Sequence, residues 1–229
     1  MIGRAAQASA LAALLLIPTA CGRTPTPTID LSTCPSAAPS ASQATAILAD
    51  AQRVVVATTK GSFTVELYPK AAPIATANFV ALARCGFYDQ VSFHRVLAGF
   101  IAQAGDPKTR TNHGPFKGLG SGGPGYGFTV EFPDPSLGYD RYTVAMANAL
   151  QYDPVAGAIQ AGLDSNGSQF FIDLESLVSR LPPYYTIIGK VVEGTDVIDA
   201  IGSAPVNNPA DGVPVTPIII ESVTIESGA

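Results

Sequence analysis

The chain has no tryptophan, only two histidines and two methionines, and charge on just 14% of its 229 residues. Thirteen lysines and arginines stand against eighteen acidic residues, for a net charge of −5, and the basic ones form no cluster. Nothing here tracks a phosphate backbone, which excludes nucleic-acid binding as a function class. His94 and His113 have no cysteine or carboxylate at ligand spacing, so no metal centre is expected, and no cofactor. Long apolar runs are missing as well: about 20 consecutive apolar residues are needed to cross a bilayer, and the stretch from Ala10 to Ile17 stops at Pro18. Three cysteines are too few for a disulfide scaffold and enough for one bridge.

What is present is a 47% hydrophobic fraction, enough to bury the core of one domain with appendages. The N-terminus reads as an export signal over residues 1–20, with Arg4 as a thin positive region, an apolar centre, and Thr19-Ala20-Cys21 at the processing site. Cys21-Gly22 after Thr-Ala favours a lipoprotein signal in which Cys21 is acylated, although Pro18 stands where an aliphatic residue is usual. The expected location is therefore outside the cytoplasmic membrane and lipid-anchored through Cys21, with a soluble secreted or periplasmic form as the alternative. Residues 21–52, rich in Thr, Pro, Ser and Ala, read as a tether, with a short helix open for Ala44 to Gln52. Cys34 and Cys85 remain as an even pair, and both a bridge between them and two free thiols stay open.

Folded structure is expected over 53–229. Val54 to Thr59 and Ser62 to Tyr68 flank Lys60-Gly61 as a hairpin. Pro73 opens a helix with Ala75, Phe79 and Leu82 on one face, ending at Arg84-Cys85-Gly86. Strands are expected at Val91 to Val96, Phe100 to Gly105, Tyr126 to Phe132, Thr143 to Asn148, Gln169 to Leu174, Thr186 to Val192 and Ile218 to Ile225, with a second helix from Thr195 to Ile201. Many short strands with two sizeable helices argue for a mainly β, closed antiparallel barrel.

The most informative stretch runs from Phe93-His94-Arg95-Val96 through Phe100-Ile101 to Gln103-Ala104-Gly105-Asp106. It threads one cation, one aromatic ring and one amide through strands whose alternation can bring them to a common face. With Thr143-Val144-Ala145-Met146-Ala147-Asn148-Ala149 and Asn166-Gly167-Ser168-Gln169-Phe170-Phe171-Ile172 following in order, it resembles the signature of the cyclophilin-type peptidyl-prolyl isomerases over about Arg53 to Glu226. The resemblance implies an eight-stranded barrel capped by a helix at each end, with a groove on its outer wall.

It also implies a division of labour. Arg95 and Gln103 match catalytic positions, and His94, Phe100, Ile101, Ala147, Asn148, Gln169, Phe171, Leu181 and Tyr185 match positions that contact substrate. In cyclophilins Phe100, Ile101, Phe171 and Leu181 would line the pocket for the proline ring, while Gln103 and the Asn148 segment would hold the peptide backbone. Read without the motifs, the same apolar residues are plain core, and His94 is structural. Two positions depart from many eukaryotic members: Arg180 stands where they carry Trp and Tyr185 where they carry His, the latter as in bacterial members. The implied partners are proline-containing polypeptides, met by a monomer; a non-catalytic proline-binding module or holdase is the alternative. Two stretches exceed the family's usual length, Lys108 to Gly125 and Leu150 to Ser165, and both flank the expected groove.

Overall fold

The structure is a computed structural model and describes residues 30–227. Cys21 and the expected signal segment lie outside the described residues, among which no helix is long and apolar enough to cross a membrane.

Ten strands and three α-helices follow in chain order: α1 (Ala41–Leu48), β1 (Arg53–Thr58), β2 (Gly61–Leu67), α2 (Pro73–Arg84), β3 (Arg95–Leu97), β4 (Ile101–Ala104), β5 (Thr143–Met146), β6 (Gln151–Asp153), β7 (Ala158–Ala161), β8 (Phe170–Asp173), β9 (Ile187–Glu193), α3 (Thr195–Gly202) and β10 (Ile220–Glu226). Eight of the strands form one curled antiparallel sheet in the order β10-β1-β2-β9-β5-β8-β4-β3. The expected closed barrel is corrected here, because the ladder does not close between β10 and β3. An isolated bridge between Ser92 and Ile219 spans the gap, helped by the Phe93 N–H donating to the Ile218 carbonyl at 2.9 Å. The reason is local: the Val96 N–H is taken at 2.7 Å by the carbonyl of Gly212, so a loop occupies the edge that a strand would need.

A second correction concerns Tyr126 to Phe132, expected as a strand. Its only bridge is Phe128 to Asn166, and the Phe128 and Val130 N–H groups reach Asn166 and Leu163 in a loop rather than in a strand. The two expected helices become three. Part of the stretch expected as tether is folded: Ser40 and Gln43 form a reciprocal capping box that starts α1, and α1 lies on α2, with the Arg84 guanidinium donating to the Ile47 carbonyl at 2.9 Å and pairing with Asp50 at 2.6 Å. Cys34 and Cys85 form a disulfide that ties this segment to the end of α2.

Strand alternation sorts the sheet into two apolar layers. Inward residues such as Val96, Ala102, Val144, Met146, Phe170 and Ile172 join Phe63, Phe79 and Tyr88 in the main core. Ile198 and Ile201 of α3 belong to the same core. Outward residues Ile101, Ala145, Phe171 and Ile187 form a second cluster with Tyr139 and Leu177. That outer cluster positions the site.

Candidate functional site

Register builds the site. Arg95 on β3 faces Gln103 on β4, Gln103 faces Phe171 on β8, and Phe171 faces Ala145 on β5, so all four side chains emerge on the outer face. With strands about 4.8 Å apart, Arg95 and Phe171 stand two strands and about 10 Å apart at the backbone. The predicted apolar residues gather around the second position: Phe100, Leu181 and Tyr185 pack at the border of the cluster that contains Ile101 and Phe171. The Tyr185 ring meets Phe171 edge to face at 5.3 Å between centroids. The base of this cluster is buried, while Phe100, Leu181 and Tyr185 at its border are half exposed.

The polar residues form an oriented chain. Gln169 Nε2 donates to the carbonyls of Gly120 and Gly122 at 2.8 Å each, which leaves its Oε1 to accept from Gln103 Nε2 at 2.9 Å. Gln103 Oε1 is thereby turned toward Arg95, whose Nη1 lies 3.5 Å away. A long contact of this kind holds the guanidinium loosely in place and leaves its other donors free for a ligand. Gln103 and Gln169, with Ala147, Asn148 and Ala149, line a trough of about 470 Å³ whose opposite wall is Gly120 to Pro124. The long Gly-rich stretch is therefore part of the site, pinned by Asp106, which accepts from the Lys108 N–H at 2.8 Å and the Gly120 N–H at 2.7 Å.

The motif glycines and amides serve this framework. Gly105 has φ +95°, and a Cβ there would collide with the Ser168 carbonyl. Ser168 Oγ returns a hydrogen bond to the Gly105 carbonyl at 2.7 Å, so the two motif blocks are locked together. From α2, Asn78 donates to the Gly167 carbonyl at 2.9 Å and accepts from the Tyr126 hydroxyl at 2.7 Å.

Two more of the sequence-predicted site residues, His94 and Asn148, lie beside Arg95 and the trough. His94 is buried beside Arg95 and lines a cavity that shares Gln103 and Gly120 with the trough; among the described residues neither ring nitrogen has a hydrogen-bond partner, and burial lowers its pKa. Asn148 commits its amide to the wall, donating to the Tyr184 carbonyl at 2.7 Å and accepting from the Leu150 N–H at 3.2 Å. Its side chain thus ties two loops together at the wall of the trough.

Three further residues bear on the site, and of them the sequence singled out only Arg180. Tyr139 accepts from the Tyr185 N–H at 3.0 Å and donates to the Tyr185 carbonyl at 2.9 Å, fixing that ring; burial pushes its hydroxyl up to about 12. Arg180 lays its guanidinium 5.0 Å from the Phe100 centroid and donates to the Gly99 carbonyl at 2.9 Å, covering one side of the ring. Asp173, opposite Ile101 in register, is fully buried, neither carboxylate oxygen has a partner among the described residues, and burial, then the neighbouring Asp140, push it up to about 8.

A family model described as cyclophilin type peptidyl-prolyl cis-trans isomerase matches residues 53–225. This chain belongs to that family. A peptidyl-prolyl cis-trans isomerase of Helicobacter pylori is 37% identical over 67% of this chain and 82% of its own length. Peptidyl-prolyl cis-trans isomerase B of Streptomyces anulatus is 37% identical over 74% of this chain and 94% of its own. Among solved structures, a Cryptosporidium parvum cyclophilin-type isomerase superposes with a TM-score of 0.64 at 33% identity, covering 78% of this chain and 99% of its own; it was also solved in the presence of the dipeptide Ala-Pro. The mainly β cyclophilin fold is thus reached from two directions.

Proposed function

We propose that the chain accelerates rotation about X-Pro peptide bonds by holding the proline ring on Phe100, Ile101, Phe171, Leu181 and Tyr185 while Arg95 donates to the prolyl nitrogen. The barrier, about 18–20 kcal/mol, comes from the partial double bond of the amide. At the twisted transition state that resonance is lost and the nitrogen regains a lone pair, so a donor aimed at it stabilises the transition state over both planar isomers. No nucleophile, metal or bond cleavage is required. The observation that carries this reading is the placement of one cation beside an apolar pocket on the same outward face, with Gln103 between them. Gln103 keeps the guanidinium aligned and offers its amide to the substrate backbone, and the trough beyond it takes the rest of an extended chain.

The proposed setting is outside the cytoplasmic membrane, as a lipid-anchored monomer acting on exported polypeptides. The residues that support it are Thr19-Ala20-Cys21 and the Cys34–Cys85 disulfide, a bond characteristic of oxidising compartments. Exchange NMR on an Ala-Pro peptide tests the activity: catalytic amounts of the full chain should broaden or exchange the cis and trans signals, and unchanged spectra would refute it. Cys21→Ala should move the protein from the membrane fraction to the soluble one, and a wild type that is already soluble would remove the anchor.

A further inference from the structure

The insertion at 150–165 folds into the hairpin β6–β7, with Tyr152 opposite Ile159 and Asp153 opposite Ala158. Almost nothing in it is buried, and an isolated two-stranded hairpin is marginal in water, so its place depends on what it leans against. It leans on the groove. The Tyr152 ring lies 5.2 Å from that of Tyr184, and Tyr184 lies 6.5 Å from Phe132, giving a ladder of three aromatic side chains. The hairpin's base is tied to the trough: Ala149 donates its N–H to Ser165 Oγ at 2.8 Å, and Asn148 holds Leu150 on one side and the Tyr184 carbonyl on the other. Tyr184 follows Pro182-Pro183, whose fixed backbone sets it, and precedes Tyr185 of the proline pocket.

Phe132 and Tyr152 nevertheless remain 47% and 42% exposed, and Leu163 at the hairpin's foot is 42% exposed. Exposed aromatic rings grouped beside a binding groove mark a contact surface. We infer that Phe132, Tyr184 and Tyr152 form an additional substrate subsite, which takes an apolar or aromatic side chain of the same extended polypeptide a few residues away from the proline. The inference rests on the isomerase reading above. The occupant follows from continuity, because the middle rung, Tyr184, precedes Tyr185 of the pocket by one residue and its carbonyl is held by Asn148 in the wall of the trough. Its length fits as well: an extended chain at about 3.3 Å per residue crosses the ladder in roughly three to four residues. The net effect is selectivity for proline segments with a nearby hydrophobic residue, which an unfolded chain exposes and a folded one buries.

The test uses the full chain and peptide pairs that differ at one position: a short Ala-Ala-Pro-Ala peptide, and the same sequence extended by several residues carrying either Phe or Ser, on the N-terminal side in one series and on the C-terminal side in another. Exchange NMR gives kcat/KM for each. In at least one series the Phe peptide should exceed its Ser twin by about five- to tenfold, the scale of one well-placed aromatic contact. Tyr152→Ser should bring that ratio to about one, whereas Val155→Ser, at the fully exposed tip of the hairpin and outside the ladder, should leave it as in wild type. Turnover of all peptides with equal rates for Phe and Ser would overturn the subsite and leave the isomerase reading standing. Equal loss of the ratio in Val155→Ser would overturn it too, as would a wild-type dimer that Tyr152→Ser dissolves, since the ladder would then be covered by a second copy. No turnover of any peptide would remove the isomerase reading and the subsite with it.

Discussion

At the scale of single residues, the site is governed by which polar groups are already satisfied. Gln169 spends both N–H bonds on Gly120 and Gly122, which fixes Gln103, which in turn leaves one oxygen for Arg95. Arg95 keeps donors to spare, and that surplus is what a transition-state donor needs. Asp173 shows the opposite situation. Its carboxyl is buried beneath the outer cluster without a partner among the described residues, and its pKa is raised from 3.8 to about 8. The folded state therefore binds a proton more tightly than the unfolded state, so stability is greatest below about pH 4 as far as this group is concerned and falls as pH rises toward 8. Asp173→Asn removes the charge while keeping the shape. Thermal unfolding at pH 5 and pH 8 should show the variant gaining several degrees over wild type at pH 8 and much less at pH 5; an equal difference at both would show that Asp173 does not titrate in this range.

At the scale of elements, what supports the groove comes from far along the chain. Helix α2 has Ala72 at its N-cap with no side-chain cap, and Glu131 supplies one from a loop, accepting from the Ile74 N–H at 3.1 Å and the Ala75 N–H at 2.8 Å. A carboxylate at a helix N-terminus also meets the positive end of the dipole. The same residue's N–H donates to Thr186 Oγ1 at 2.9 Å, so Glu131 fastens the loop that carries Phe132 to both α2 and the start of β9. Glu131→Ala should cost about 1–2 kcal/mol in urea unfolding, the range for loss of a helix cap; a loss under about 0.3 kcal/mol would show that the cap contributes nothing. No sequence rule finds this pairing, because 56 residues separate its partners. The hairpin β1–β2, the helix from Pro73 to Arg84 and the motif strands β4, β5 and β8 were legible because periodicity and turn residues are local, whereas of the strand expected at Val91 to Val96 only Arg95 and Val96 join β3. The strand expected at Tyr126 to Phe132 failed because alternation was present but no strand lay beside it to complete a ladder. Motif spacing singled out the residues of the outer cluster that we propose as the proline pocket, and Arg180 beside them, whereas Tyr139 and Asp173 escaped notice because their neighbours are set by the fold.

At the scale of the molecule, one antiparallel sheet separates a conventional core inside from a second apolar cluster outside, and the second is where we propose that the proline ring sits. The folded α1 segment and the Cys34–Cys85 bridge extend the domain beyond the span that matches the family. Everything proposed for the groove depends on Arg95 acting in the transition state and Phe100 acting throughout. Exchange NMR on one Ala-Pro peptide, with wild type, Arg95→Ala and Phe100→Ala shown to be folded by circular dichroism, measures both. Loss of one preorganised donor typically costs about 10²–10³-fold in rate, so Arg95→Ala should lower kcat/KM by that order while weakening peptide binding only slightly. Phe100→Ala should weaken binding and kcat/KM together, because the ring contacts proline in ground and transition states alike. Near-wild-type turnover in a folded Arg95→Ala protein would contradict the account.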